Sequence, residues 1–288
     1  LSASSSMDPN LFGLAKKQSF GLFENIPDVT WERLRHETLG RSLYANPDNP
    51  LDNIEDTDRW AKENIKPIFD CPYDSRMGRE GVDGEKFVCN PKGLSHSGEP
   101  CLVYSFGCAG MYEFEDNLTA LLNSTCEIHV FDPAPDFARP GDPEQKNIHY
   151  HPWGLISTYE FENKNNIWPK GRGGTFKTLR DIFKELGHEN KTIDIFKIDC
   201  EGCEWSTYKD WINVGFGQIL VETHGIPTPQ GVPMNPIHKK WVQIDLNISE
   251  FYDAFENNGY ALFHKDEHVH ARDLSFVKLH DDFWKRSE

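Results

Sequence analysis

Long apolar runs are missing from this chain: no segment approaches the roughly 20 consecutive apolar residues that cross a bilayer, and no signal-peptide core is visible. The chain is therefore expected to make no membrane contact of its own. An excess of positive charge is also missing. Lys and Arg number 30 against 46 Asp and Glu, a formal charge of -16, which repels phosphate backbones and anionic lipid and sets nucleic acid aside as a substrate. Cysteine is sparse, 7 in 288 residues. That is too few for a disulfide-built scaffold, and the odd number leaves at least one thiol unpaired within a monomer. Cys71 and Cys89 flank a glycine-rich loop and can pair if the compartment is oxidising. Sequons at Asn117, Asn123, Asn190 and Asn247 permit glycosylation in a secretory protein. The secretory pathway, including the Golgi lumen, and the cytoplasm both stay open. An initiator Met is lacking as well: the opening LSASSSMDPN is Ser-rich and reads as a processed or engineered end, with any targeting or anchoring segment expected upstream.

What is present is enough chain for one main domain with a substantial core, without internal repeats. Residues 1–70 are polar and rich in Pro, Asn and Asp, with helices predicted at Asp28–Leu39 and Asp56–Ile65. They read as an arm or lid ahead of a main domain over 71–288. Glycine turns in RMGREGVDGEKFVCNP enclose a short apolar strand, Phe87–Cys89, and then a regular alternation begins. Strands are predicted at Leu102–Phe106, Glu127–Phe131, Ile148–Tyr150, 193–199 and 217–224, and helices at 175–187, Glu204–Ile212 and 249–259. The last two strands, 260–265 and 274–279, are too close in sequence for a crossover helix and should form an antiparallel hairpin. The alternation predicts an α/β, Rossmann-like fold: a mostly parallel sheet with helices on both faces and a C-terminal antiparallel hairpin. The proline-rich HGIPTPQGVPMNP after the fifth core strand falls where a substrate-facing loop or an ordinary surface loop would lie.

In open parallel sheets ligands bind beyond the carboxyl ends of the strands, so polar residues at the strand tips belong together. The first strand ends at Ser105 and Gly107 in VYSFGCAG. Gly107 and Gly110 suit either a tight turn or a loop whose backbone approaches a nucleotide-like cofactor. The second ends HVFDP, placing Asp132 at its tip, 25 residues after Gly107. An acid there either accepts hydrogen bonds from both hydroxyls of a ribose or starts a turn with Pro133. The fourth ends KIDCEGCEW, with Asp199, Glu201 and Glu204 around Gly202. Glu201 is placed to cap or charge-stabilise the following helix. The fifth ends VETHG, and strand alternation sets Glu222 and His224 on one side. His224 is either a proton carrier or a hydrogen-bonded histidine at a loop start. Rival chemistries are a redox or zinc half-site at Cys200-x-x-Cys203, a divalent ion held by Asp199, Glu222, His224 and His149 or His151, and a nicotinamide site. The last lacks its Gly-x-Gly-x-x-Gly.

The ordered set CLVYSFGCAG, CEIHVFDP, HYHPWGL, IDIFKIDCEGCEW, QILVETHG, GYALFHK and LSFVKL resembles the S-adenosylmethionine-dependent methyltransferase domain of the eukaryotic methyltransferase-like protein twenty-four group. It is more distantly similar to bacterial sugar-methylating enzymes of the FkbM type. The similarity runs from about Arg76 to Leu279. Cys108 departs from it, standing where a glycine is frequent. The resemblance implies a class I methyltransferase sheet of seven strands. It implies that Ser105, Gly107 and Gly110 border the methionine part of S-adenosyl-L-methionine, that Asp132 holds the ribose, and that Trp153, Gly154 and Leu155 lie near adenine. Asp199 would stand beside sulfonium and substrate. The expected activity is O-methylation of a small polar or carbohydrate hydroxyl, with Asp199, Glu222 and His224 as the catalytic set, His224 as base and no divalent metal required. N-methylation, a binding module that kept the fold without activity, and a nicotinamide-dependent oxidoreductase are the alternatives.

Overall fold

The computed structural model describes residues 19, 21–46, 57–81, 84–97, 100–139, 146–163, 173–224, 232–234, 240–242, 248–268 and 271–285. Before the main sheet come helices α1 (Asp28–Leu39) and α2 (Thr57–Asn64) and the hairpin of β1 (Ser75–Met77) and β2 (Lys86–Val88). Strands β3 (Leu102–Phe106), β4 (Glu127–Phe131) and β5 (Ile148–His151) follow, with α3 (Glu113–Leu121) between the first two. A parallel pair, β6 (Trp153–Leu155) and β7 (Thr175–Lys177), brackets α4 (Thr158–Glu162). Then come α5 (Leu179–Leu186), β8 (Ile195–Ile198), α6 (Cys203–Trp211) and β9 (Gln218–His224). A small antiparallel pair, β10 (Val232–Met234) and β11 (Lys240–Val242), precedes α7 (Ile248–Asn257), β12 (Tyr260–Glu267), β13 (Ala271–Lys278) and α8 (Asp281–Trp284).

Seven strands form one sheet in the order β12-β13-β9-β8-β3-β4-β5. The five from β9 to β5 run parallel, and β13 and β12 are antiparallel additions. This is the predicted α/β sheet with its C-terminal hairpin. The central strands β3 and β8 are buried along their whole length, as a sheet covered on both faces requires. The chain starts at β3, moves out to β5 and returns to β8 on the other side of β3. The crevice at this reversal opens between the carboxyl ends of β3 and β8, where Gly107 and Asp199 lie.

The described part of residues 1–70 packs into the common core. Trp31 packs at a tilt against Phe23 at 4.8 Å and meets Phe283 at 5.2 Å, and the Ile68 and Phe69 amides both donate to the Leu262 carbonyl, at 2.8 and 3.1 Å. The expected arm is thus sutured to the C-terminal hairpin. The segment 175–187, read as one helix, divides into β7 and α5. Thr178 accepts the Asp181 amide as the N-cap, Gly187 at φ 69 closes the C-terminus, and Phe176 on β7 packs against Gly154. Most of HGIPTPQGVPMNP, the sequon Asn247 and residues 1–18 lie outside the described residues. No described helix is long and apolar enough to cross a membrane.

Candidate active site

The loop after β3 is fixed by backbone contacts. Gly107 has φ 77, and a Cβ there would fall on the carbonyl oxygen of Asp199, so the tips of β3 and β8 meet through this glycine. Lys197, buried within β8, donates to the Gly107 carbonyl at 2.9 Å. Ala109 and Gly110 also take positive φ, 47 and 81. The turn delivers the Cys108 and Ala109 amides to Asp132 Oδ2 at 3.3 and 3.1 Å, while the Ala134 amide donates to Oδ1 at 3.0 Å. An ionised carboxylate offers about four lone-pair sites, so this pattern leaves one open on Oδ1. A buried acid at the tip of β4, oriented by the glycine loop and keeping one acceptor site, fits a ribose hydroxyl of S-adenosylmethionine. Burial pushes the Cys108 thiol up to about 11, keeping it neutral beside this carboxylate.

Other residues expected around the cofactor have packing partners of their own. Ser105 is fully buried and donates to Glu115 Oε1 on α3 at 2.6 Å. Gly154 is where a Cβ would lie 2.5 Å from Phe176 Cε1, and Leu155 is in the core. The Trp153 ring stacks on His151 at 4.5 Å and carries the Lys177 ammonium 3.5 Å from its centroid. Gly110 faces Phe137, 3.3 Å from where its Cβ would be.

Across the crevice the structure brings Asp199, Glu222 and His224 together. His224 Nε2 lies 3.6 Å from Asp199 Oδ1 and 3.6 Å from Glu222 Oε1, too far for a hydrogen bond to either. Its other side is latched. Glu204 Oε1 accepts the His224 amide at 2.6 Å and faces Nδ1 at 3.3 Å, and Trp205 Nε1 donates to the His224 carbonyl at 3.1 Å. Glu204, fully buried, also accepts the Gly202 amide at 2.9 Å. It therefore caps the turn into α6, the role expected of Glu201, which is exposed at φ 57. A disulfide between Cys200 and Cys203 closes the same turn, beside two others, Cys71–Cys89 and Cys101–Cys126, with Cys108 free. Paired as a cystine, these two cysteines offer no thiolate to a zinc half-site.

Beneath these groups is Lys86, which sequence reasoning missed. Its fully buried ammonium lies 2.8 Å from Glu222 Oε2, 2.8 Å from Asp273 Oδ1 and 3.3 Å from Asp199 Oδ2. The reason is local. Gln218 at the start of β9 clamps the Cys89 backbone, accepting its amide at 2.7 Å and donating to its carbonyl at 2.9 Å, and β2 is thereby pressed against the sheet. Glu222 and Asp273 are paired in register between β9 and β13, a like-charge opposition that a buried cation relieves. His268 Nε2 adds a contact to Asp273 Oδ2 at 2.8 Å. The signals were a lysine beginning the strand KFV and another inside the apolar IFKI, since buried lysines demand partners.

The electrostatics follow from these contacts. Burial opposes the charge on Lys86, but Asp199, Asp273 and Glu222 outweigh it and raise its pKa well above the usual value. Burial also works against ionised Asp199, yet Lys86, Lys197 and His224 hold it below the ordinary carboxylate range. Glu222 is raised to about 8 by burial and by Asp199, against the pull of Lys86. His224 is raised to about 10, because Glu204, Asp199 and Glu222 overcome its burial. At rest His224 is thus an imidazolium beside a carboxyl group that titrates near neutrality. Asp199 and His224 retain 15% and 16% side-chain exposure against 6% for Glu222 and none for Lys86, so the cluster is approached from the Asp199 and His224 side.

Among solved structures the chain is similar to a cyclopropane-fatty-acyl-phospholipid synthase-like protein from Lactobacillus casei, at 12% identity and TM-score 0.33, covering 59% of this chain and 65% of that one. It is similar to the fibrillarin pre-rRNA processing protein of Methanococcus jannaschii, at 9% identity and TM-score 0.36, covering 72% and 88%. A third likeness is to the 1,6-didemethyltoxoflavin-N1-methyltransferase of Burkholderia thailandensis, whose structure contains S-adenosylhomocysteine, at 10% identity and TM-score 0.31, covering 65% and 74%. The chain thus spans just under two thirds of the first of these proteins. No curated protein matches the sequence. The family model of a methyltransferase domain matches residues 13–278, reaching well into the N-terminal region that the quoted motifs left unmatched. With that match over most of its length, the chain belongs to the methyltransferase-domain family.

Proposed function

We propose that the protein methylates a hydroxyl group of a small polar or carbohydrate acceptor, in an oxidising compartment. Within its family, KIDCEGCEW and VETHG support a place in the methyltransferase-like protein twenty-four group, distantly similar to the FkbM type. Three disulfides support the compartment. The observation that carries the acceptor reading is the Glu204–His224–Glu222 array beside Asp199 at the switch point. A hydroxyl needs a base, whereas an amine that is already neutral does not.

S-adenosylmethionine, when bound, supplies an electrophilic methyl group on a sulfonium. Asp132 accepts a ribose hydroxyl at Oδ1, and the ionised Asp199 carboxylate favours a cationic ligand in the crevice. Glu204 fixes the His224 ring from Nδ1, leaving Nε2 toward the acceptor. His224 gives up its Nε2 proton to solvent as pH rises toward its raised pKa of about 10, and the neutral imidazole then takes the proton of the acceptor hydroxyl at Nε2, with Asp199 and Glu222 stabilising the imidazolium so formed. Proton transfer by positioned groups contributes typically about 10²- to 10⁴-fold in rate. The ligating atoms of Asp199, Glu222 and His224 also lie within 4.8 Å of one another, which favours a divalent ion as second reading. The Lys86 ammonium already bonded to Asp199 and Glu222 favours the metal-free one.

S-adenosylhomocysteine release with sugars, other polyols and primary amines as acceptors tests the proposal. Turnover on hydroxyl acceptors, rising toward pH 10, unchanged by EDTA and lost in Glu222→Gln and His224→Gln, is the expected result. Turnover on amines alone would overturn it, and loss of turnover with EDTA would replace the histidine mechanism with the metal one.

A further inference from the structure

A second cluster of ligating side chains lies away from the strand tips. Glu127 opens β4, and His129, two residues on, shares its face. His188 follows Gly187 at the end of α5 and is anchored by its amide on the Phe183 carbonyl at 2.8 Å. His129 and His188 are buried, and their rings meet edge to face at 5.0 Å. One ligand atom from each of Glu127, His129 and His188 lies within 4.8 Å of the other two. His129 Nε2 is already 3.0 Å from Glu127 Oε1. The outward nitrogens of both rings are occupied: His129 Nδ1 by His151 Nε2 at 2.9 Å, and His188 Nδ1 by the Tyr104 hydroxyl at 2.7 Å. When each Nδ1 donates outward, both Nε2 atoms carry lone pairs turned toward the carboxylate. Hydrogen bonds of this kind fix the tautomer and ring orientation of metal-bound histidines.

We propose that Glu127, His129 and His188 form a site for a zinc-class transition metal ion at the amino end of the sheet. Two imidazoles and a carboxylate suit zinc over magnesium or calcium, which prefer all-oxygen sets. Glu127 keeps 39% of its side-chain exposure, leaving the fourth position to water. The ion would tie β4 to the turn between α5 and β8, at the opposite end of the strands from Asp199. The site therefore has a structural role and takes no part in methyl transfer. Lys191 Nζ lies 4.0 Å from Glu127 Oε2 and swings out when the ion enters.

The test is titration of metal-stripped protein with Zn²⁺ and, as a spectroscopic probe, Co²⁺, followed by calorimetry, visible absorption and thermal melting. One ion per chain with a raised Tm is expected, together with tetrahedral cobalt bands. Glu127→Gln, isosteric and partly exposed, and His188→Gln should each weaken binding more than about tenfold, since even outer-shell changes cost that much. Glu222→Gln, which alters only the strand-tip cluster, should leave binding unchanged. No binding in the micromolar range would overturn the proposal. So would an ion that survives Glu127→Gln in a folded protein and is lost in Glu222→Gln.

Discussion

Lys86→Met removes the fully buried cation shared by Asp199, Glu222 and Asp273 while keeping most of the buried stem. In the wild type the ammonium has no exposure and makes contacts at 2.8, 2.8 and 3.3 Å. Without it, Glu222 and Asp273 oppose each other in register with Asp199 beside them. Leaving a buried charge unpaired costs about 3–5 kcal/mol, and that loss is expected near pH 8. Protonating another carboxylate relieves the strain. The folded variant then binds more protons than its unfolded chain, so its stability deficit shrinks as pH falls toward 5. Urea unfolding followed by fluorescence of the 8 tryptophans at both pH values measures the difference. Adding Asp273→Asn should recover part of the loss, with a coupling of about 0.5–3 kcal/mol between contacting residues. A Lys86→Met protein within about 1 kcal/mol of wild type at pH 8 would refute the reasoning, because that is the scale of an exposed pair.

His224 and Glu222 both have folded pKa values raised above the unfolded ones, so their stabilising contributions are complete at low pH and lost as pH rises, through about 8 for Glu222 and about 10 for His224. These contributions should therefore lower the urea midpoint from about pH 4.5 to 8 through Glu222 and from about 6.5 to 10 through His224, and a flat midpoint above pH 8 in His224→Gln would assign that limb to His224. Gly107→Ala should destabilise the fold by at least about 1–3 kcal/mol of backbone strain and weaken S-adenosylhomocysteine binding, because the added Cβ meets the Asp199 carbonyl; full retention of both in calorimetry would disprove the contact. Selective reduction of Cys200–Cys203, checked by alkylation and mass spectrometry, should lower turnover several-fold by loosening the turn that carries Asp199 and Glu204, whereas Cys108 should resist alkylation until the protein unfolds. Undiminished turnover after reduction would remove the bridge from the positioning of the site.

The sheet was legible because its central strands are buried on both faces and read as short continuous apolar runs with turn chemistry at their ends. Terminal spacing alone disclosed the hairpin. The small elements are less visible: β1, β6 and β7 are three residues each, too short for periodicity. The polar average of residues 1–70 conceals the residues that pack there. The signal there was the pair Trp31 and Leu34, three apart on α1, which buries one stripe beneath an otherwise charged helix.

At the site, reading strand tips found the acids and the histidine but not what makes them tolerable together. Asp199, Glu204 and Glu222 come from neighbouring strand ends in a contiguous stretch, so spacing reveals them. Lys86, His268 and Asp273 arrive from a hairpin more than a hundred residues earlier and from the last strand pair, and only the topology brings them near. An energetic argument could still have asked for them. Three carboxylates read into one crevice cannot all stay ionised without cations at comparable depth, and a sequence with 16 more acids than bases offers few lysines inside apolar strands. Lys86 in EKFVC and Lys197 in IFKID are two such lysines that the structure buries. One pairs with the acceptor-side acids and the other holds the Gly107 carbonyl, so the two halves of the crevice, glycine loop and acid cluster, are joined through buried ammonium groups. Where acids converge at a switch point, the lysines that interrupt apolar strands are the residues to place first.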